Sequence, residues 1–382
     1  MNYDVVVVGA GVFGSWTAYQ LRREGASVLL VDAYGPGNSR ASSGGESRMI
    51  RLGYGPDEIY TRFAQRSFGL WESLFEESNS PNLLQRTGIL WLARENDPYC
   101  EATLTTLRRL HATCERLDHD ELLRRFPQLE LGSIAWGILE PDSGVLLARR
   151  AVQAVAAQAR SDGVAYLEAA IAPPLETGNT LKSIKTMSGQ ELSAERFVFA
   201  CGPWLPKLFP ELLGGLIHVT RQEVFFFGVP PGNENFSVGT MPAWIDFNDL
   251  VYALPNIEGR GFKLAMDAHG PEFDPDTGER VVSTSGLSEA REYLARRVPL
   301  LVDAPVTETR VCQYENTSNG DFLIDRHAAL ENVWLAGGGS GHGFKHGPAV
   351  GEYVADMMAG RGVPEPRFGL AFKEKVQERK VF

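Results

Sequence analysis

The chain has 382 residues and a formal net charge of −11, a balance that opposes a nucleic acid or an anionic membrane as partner. With 43% apolar residues and a mean hydropathy of −0.16 it reads as a soluble globular protein, too long for one core, so two domains are expected. No apolar run reaches the length of a membrane span, and a strand at the very start leaves no room for a signal peptide, which makes the cytoplasm the expected compartment.

The first element is the strongest. Tyr3 to Val8 carries four consecutive valines, the pattern of a strand buried on both faces. The turn Gly9-Ala10-Gly11-Val12-Phe13-Gly14 follows, then an amphipathic stretch, then a second strand, Val28 to Asp32. Three glycines at this spacing let the backbone turn tightly, approach a pyrophosphate and bring helix against sheet. The phosphates gain ~0.3–1 kcal/mol from the unpaired N–H groups and the helix dipole at an exposed site. Asp32 accepts hydrogen bonds from ribose hydroxyls and repels a 2′-phosphate, so FAD or NAD is favoured over NADP.

Residues 34–48 are turn formers and small polar residues, read as a permissive, mobile loop ending near Arg48 and Arg51, whose plainest role is a solvated face. Tyr60 to Glu77 is expected to be a helix anchored by Phe63, Phe68, Leu70 and Trp71. Thr87 to Leu92 reads as a strand, followed by two charged helical stretches, Asn96 to Leu117 and Asp118 to Phe126. Gly137 to Gly144 reads as a turn and Leu147 to Ser161 as a helix. Val164 to Ala170, Ser183 to Met187 and Arg196 to Ala200 are expected to form a β-meander that ends at Cys201-Gly202-Pro203-Trp204, which suits close approach of backbone to a nucleotide and almost equally a simple turn.

Short β-like runs fill Thr220 to Leu264 and predict an antiparallel sheet. Gly270 to Gly278 is a loop, Ser288 to Arg297 a helix and Val306 to Tyr314 a strand. Asp321 to Asp325 and Val333 to Gly337 are further strands, and the glycine-rich run Gly338 to Gly343 precedes a helix opened by Pro348. The fold class is therefore α/β, an α+β two-domain chain with a Rossmann-like nucleotide domain and an interleaved antiparallel-sheet substrate domain. Residues 1–86, 147–217 and 318–382 are assigned to the first, and 87–146 and 218–317 to the second. Cys100, Cys114, Cys201 and Cys312 show neither a CxxC pair nor closely spaced histidines, so zinc and a disulfide framework are not expected.

With these pieces in place the chain resembles the monomeric sarcosine oxidase family, amine-oxidising flavoproteins of the D-amino-acid-oxidase fold group. The likeness runs end to end. It is carried by VVVVGAGVFGSWTAYQL with Asp32, SSGGESRMIRLGYG at 42–55, GFKLAMD at 261–267, RVCQYENT at 310–317, DFLIDRH at 321–327 and GGGSGHGFKHGPAVGE at 337–352. The resemblance implies FAD, a secondary amine or N-substituted amino acid as substrate, electron transfer to the flavin, reoxidation by O₂ to hydrogen peroxide, and a monomer.

It also implies roles for particular residues. Cys312 falls where the family carries a thioether to the flavin, although an isolated cysteine is otherwise a small buried apolar residue. Lys263 falls at the site that activates O₂, with a surface-reaching lysine as the alternative. Arg51 and Lys345 match the pair that holds a substrate carboxylate, and Arg48 the arginine lying against the flavin. Tyr252 and His342 would line the same cavity, a lone histidine being more often structural. Ser42, Ser43, Cys201, Gly202, Trp204, Gly337, Gly339, Gly341 and Gly343 join Gly9, Gly11, Gly14 and Asp32 as candidate cofactor contacts.

The likeness breaks in two places. Met266 and Asp267 stand where the family has tyrosine and histidine, so a carboxylate able to pair with an ammonium or to bond hydroxyls replaces an imidazole, and sarcosine itself is in doubt. RVCQYENTSNGDFLIDRH also resembles fructosyl amino acid oxidases and pipecolate or saccharopine oxidases, which take bulkier amines. Ser43 and Gly44 replace two adjacent histidines, implying a roomier or more mobile entrance. A flavin dehydrogenase passing electrons to a quinone or protein, and a non-catalytic flavin-binding scaffold, are the competing readings.

Overall fold

The computed structural model describes residues 3–175 and 178–377. Among them the strands form three sheets. The first runs Leu323–Arg326, Val333–Gly337, Glu191–Phe199, Tyr3–Val8, Val28–Asp32, Ala165–Glu168, with Ser183–Lys185 paired to Glu191–Phe199. Its central pairs are parallel. Val5, Val6 and Val7 are fully buried. A strand with helices over one face and further chain over the other has no solvated side, which is why its sequence does not alternate.

The helices Val12–Arg23, Ala148–Ser161 and Gly347–Met358 pack together beside this sheet. The long helix Glu58–Glu77 lies against Gly347–Met358, with Trp16 meeting Trp71 edge to face at 5.0 Å. Burying side chains of this size contributes ~1.5–3 kcal/mol each.

The second sheet has eight strands, ordered Val306–Thr317, Ile217–Phe227, Phe262–Met266, Val251–Leu254, Ala243–Asp246, Ile89–Ala93, Trp136–Glu140, Glu115–Asp118. The antiparallel sheet expected of residues 220–264 is present, and one parallel pair, Ala243–Asp246 with Ile89–Ala93, joins it to the earlier strands. Residues 137–140, read as a turn, are a fully buried strand gripped by Ile89–Ala93 and Glu115–Asp118. Their apolar run Gly-Ile-Leu needed partners far away in sequence to become a strand. The stretch read as helix to Leu117 stops at Arg109, and Glu115–Asp118 is a strand ending in a capping box on Asp118. The meander is also partial: Ala165–Glu168 pairs parallel to Val28–Asp32, and only Ser183–Lys185 with Glu191–Phe199 is a hairpin.

A small sheet of Arg48–Ile50, Gly144–Leu146 and Leu84–Gln85 links the two larger ones. The edge strand Val306–Thr317 does the same from the other side, since Ser340 N–H donates to the Glu315 carbonyl at 3.1 Å and Thr317 N–H to Ser340 Oγ at 3.2 Å. Among the described residues no helix is long and apolar enough to cross a membrane.

Candidate active site

Gly9 sits at φ +102°, and a Cβ there would come 2.3 Å from the Ala200 carbonyl oxygen. A Cβ on Gly14 would come 1.8 Å from the Gly9 oxygen, so Gly14 is what lets the first helix lie on the turn. The helix Val12–Arg23 has no capping side chain of its own at Gly11. Ser43 supplies one from a distance, its Oγ accepting from Val12 N–H at 3.0 Å. Asp32 accepts from the N–H groups of Ala10 at 2.7 Å and Tyr34 at 2.8 Å. Burial pushes its pKa up while those N–H groups hold it down.

A cleft of about 400 Å³ runs from Asp32 past Gly9, Gly11 and Ser43 to Cys312. The loop 34–48 is fastened rather than mobile along this edge. Asn38 Oδ1 accepts from Arg40 and Ala41 N–H, Ser42 Oγ donates to the Gln313 carbonyl at 3.0 Å, and Arg149 donates to the Gly44 carbonyl. Ser43 and Gly44 are buried in a 3₁₀ turn and hold the helix start; the roomier entrance expected of them is not what they form.

At the far end Arg48 binds three segments together. Its guanidinium donates to the carbonyls of Ser47 at 2.9 Å and Ser42 at 3.0 Å and lies 3.2 Å from Cys312 Sγ. Cys201 Sγ donates to the Val8 carbonyl at 3.3 Å, and burial pushes its thiol far up. Trp204 closes the opposite rim through Nε1 to Asp276 at 2.7 Å.

A second cavity of about 80 Å³ shares Arg48, Tyr314, Gly341 and Phe344 with the cleft. Arg51, Tyr252, Asp267, His342 and Lys345 all reach its wall. Arg51 is 6% exposed, donates to the Gly53 carbonyl, and stacks over Tyr54 at 4.1 Å and Trp91 at 4.9 Å. Glu140 fixes the segment after it, accepting from Leu52 N–H, Gly53 N–H, Trp91 Nε1 and Ser143 Oγ at 2.7–3.0 Å. Lys345 is 5% exposed, with Nζ donating to Tyr54 Oη at 2.7 Å and the His342 carbonyl at 2.9 Å. Burial, reinforced by Arg51, pushes its pKa well down.

Tyr54 is the hub of this wall. Its Oη also lies 2.7 Å from His346 Nε2 and 3.4 Å from His342 Nδ1, while His342 Nε2 reaches the Gly320 carbonyl at 3.1 Å. Across the cavity Asp267 Oδ1 accepts from Tyr314 Oη at 2.7 Å. Burial pushes this carboxyl up, and Tyr314, Arg51 and Lys345 each pull it back.

Lys263 is not in either space. It is 2% exposed and lines a third cavity of about 200 Å³ with Glu46, Ser47, Phe226 and Arg260. Its Nζ donates to the Ser47 carbonyl at 2.8 Å and sits 5.6 Å from the Tyr252 ring. Burial and then Arg48 push its pKa well down. Gly14 and Gly337 also stay off the cleft wall: Gly337 makes room for Leu205, a Cβ there falling 2.3 Å from Leu205 Cδ1.

Residues 4–357 match the family described as FAD dependent oxidoreductase (DAO). The chain belongs to that family. This FAD-dependent oxidoreductase is 30% identical over 391 residues to monomeric sarcosine oxidase of Bacillus sp. (strain B-0618), covering 100% of this chain and 99% of that one. It is 28% identical to N-methyl-L-tryptophan oxidase of Citrobacter koseri, with 97% of each covered. Among solved structures, L-proline dehydrogenase from P. horikoshii superposes with a TM-score of 0.83 at 22% identity over 97% of each chain, a likeness of fold.

The cleft of the oxidoreductase fits FAD on its own geometry. It combines a helix N-terminus reached through the side-chain-free Gly11, an acid at the ribose end, and a buried carboxylate oxygen, Glu315 Oε2, that no described residue satisfies. Five residues that line or support these walls escape a reading of the sequence: Tyr314 and Glu315 on the cleft, and Tyr54, Glu140 and His346 behind the cavity. Tyr314 and Glu315 sit inside RVCQYENT, where polar residues on a strand leading from Cys312 were the available signal. Glu140 was hidden by the turn expected at 137–144.

Proposed function

We propose that this oxidoreductase oxidises a secondary amine or N-substituted amino acid, and that dioxygen is its electron acceptor. The observation that carries the reading is the meeting of Arg51 and Lys345 in a buried cavity that opens on the FAD cleft. Two buried basic side chains on one cavity wall, a planar guanidinium and an ammonium, suit the carboxylate of an amino acid. The names of the relatives, sarcosine oxidase and N-methyl-L-tryptophan oxidase, support an N-methylated amino acid.

When bound, FAD supplies the two-electron acceptor: the amine leaves as an imine that water hydrolyses, and dioxygen with two electrons and two protons becomes hydrogen peroxide. The protein's own part is positional. Arg51 offers a planar fork and Lys345 a point charge, which together orient the substrate carboxylate and turn the carbon to be oxidised toward the cleft. Tyr54 holds Lys345 Nζ in place from behind. Asp267, kept by Tyr314 at the cavity wall, faces the rest of the substrate, where its carboxylate favours an ammonium or hydroxyl over a second carboxylate. Cys312 Sγ, beside Arg48, is the proposed point of covalent attachment, and Lys263 Nζ the charge that favours electron transfer to dioxygen. The discontinuous domains proposed here are 1–86 with 147–217 and 318–382, and 87–146 with 218–317.

The test is anaerobic bleaching of the flavin absorbance with sarcosine, N-methyl aromatic amino acids, proline, pipecolate, saccharopine and fructosyl amino acids. At least one N-substituted amino acid is expected to bleach it, with hydrogen peroxide appearing once air is admitted. Failure of the whole panel overturns the substrate reading; bleaching without peroxide overturns the acceptor. Acid-denatured protein is expected to keep its yellow colour in the pellet, and colour wholly in the supernatant would exclude the Cys312 link.

A further inference from the structure

One carboxyl in the cleft has no part in the reading above. Glu315 is 9% exposed on the strand Val306–Thr317 and lines the cleft. Its oxygens rest on glycines: a Cβ on Gly339 would stand 3.2 Å from Oε1 and one on Gly337 3.3 Å from Oε2. The N–H groups of Gly338 and Gly339 donate to the carboxyl. Oε2 nevertheless has no hydrogen-bond partner among the described residues, and no cation is paired with the group. The titratable group that faces it is the Cys201 thiol, which burial keeps protonated.

Its place along the cleft follows from the backbone. Gly9 of the phosphate turn packs on Ala200, and Gly202, two residues on, lies beside Glu315, a Cβ there falling 3.7 Å from Oε2. Cys312 lies three residues back on the same strand, ~10 Å away in an extended chain. Glu315 therefore stands between the pyrophosphate end and the ring end, where FAD carries a sugar-alcohol chain. A pyrophosphate oxygen would be repelled by the ionised carboxylate, and the ring end of the cleft, at Cys312, lies three residues away along the strand. Burial pushes the Glu315 pKa up to about 7, so both of its forms are present near neutrality. A hydroxyl donates to one form and accepts from the other.

We propose that Glu315 is a cofactor-holding residue whose Oε2 engages a hydroxyl of the sugar-alcohol chain of FAD. The assignment rests on the FAD dependence of the family and not on the identity of the substrate.

The experiment uses the full chain carrying Cys312→Ser, so that FAD exchanges freely, and measures FAD and ADP binding by calorimetry. ADP has the adenosine and the pyrophosphate but lacks the sugar-alcohol chain. Glu315→Leu is expected to weaken FAD at least tenfold and leave ADP within twofold; binding of FAD by the parent checks the cofactor itself. An unchanged FAD affinity, or an equal loss for ADP, overturns the proposal. Should the leucine variant fail to fold, infrared difference spectra decide: adding FAD to the Cys312→Ser protein at pH 6 is expected to shift a protonated-carboxyl band that is missing in Glu315→Gln. No such shift overturns the proposal as well.

Discussion

The FAD cleft and the cavity beside it are built on opposite plans. The near wall of the cleft is backbone and small residues within one βαβ stretch, Gly9 to Asp32, and its key contacts span a few residues to about thirty. The cavity is made of long charged and aromatic side chains drawn from Arg51, Tyr252, Asp267, Tyr314 and Lys345, up to 291 residues apart across the Lys345–Tyr54 contact. A cofactor common to many reactions is held by main-chain geometry. A substrate is chosen by side chains that can change without disturbing that geometry, the part proposed here for Asp267.

The sharpest way to break the contrast is Gly14→Val. A side chain 1.8 Å from the Gly9 oxygen cannot be placed without moving the helix from the sheet. The variant is expected to be insoluble or free of flavin, and recovery of yellow, folded protein on gel filtration would contradict the packing role. In the cavity, Arg51→Met should leave flavin content unchanged while kcat/KM falls at least a hundredfold, about 3 kcal/mol, because Lys345 alone cannot orient a carboxylate. Stopped-flow reduction of the flavin measures this directly.

Glu315 joins the two regions through stability. Its carboxyl loses its proton at 4.5 in the unfolded chain and at about 7 in the folded one. Between those values the folded state keeps a proton that the unfolded state has lost, so stability falls as pH rises from 4.5 to 7 and levels off above. Glu315→Gln removes this loss, and its advantage in melting is expected to grow across that window toward an upper bound of about 3 kcal/mol. A constant difference from pH 4.5 to 8 would show that the carboxyl does not titrate there.

Lys263→Met separates the third cavity from the second. Reoxidation of reduced protein by air should slow about a hundredfold, ~2.7 kcal/mol, with flavin reduction by substrate nearly unchanged. The smallest effect belongs to Asp267→Asn. It should shift preference among substrates about tenfold, ~1.4 kcal/mol, toward those with a second carboxylate, as read from kcat/KM ratios.

The turn Gly9 to Gly14, its flanking strands and Asp32 were legible in the sequence because each depends on neighbours close along the chain. The run Tyr3 to Val8 is a strand in any setting that buries both faces. That Arg48, Arg51, Cys312 and Lys345 meet at two adjoining cavities was to be expected only through resemblance, since nothing local distinguishes Arg51 from a solvated arginine. Residues 137–140 show the limit: the same Gly-Ile-Leu-Glu run is a turn by composition and a buried strand by partnership.

Tertiary structure alone decided the rest. It put Ser43 on the first helix instead of at an entrance, drew Lys263 into a cavity apart from Arg51, and made Tyr54 the support of Lys345. Hydrogen bonds and burial between distant segments have no periodicity to read, because their geometry exists only after the sheets have packed. The amino-acid order by itself determined a dinucleotide-binding α/β chain with charged side chains in reserve; the packing determined where those charges point.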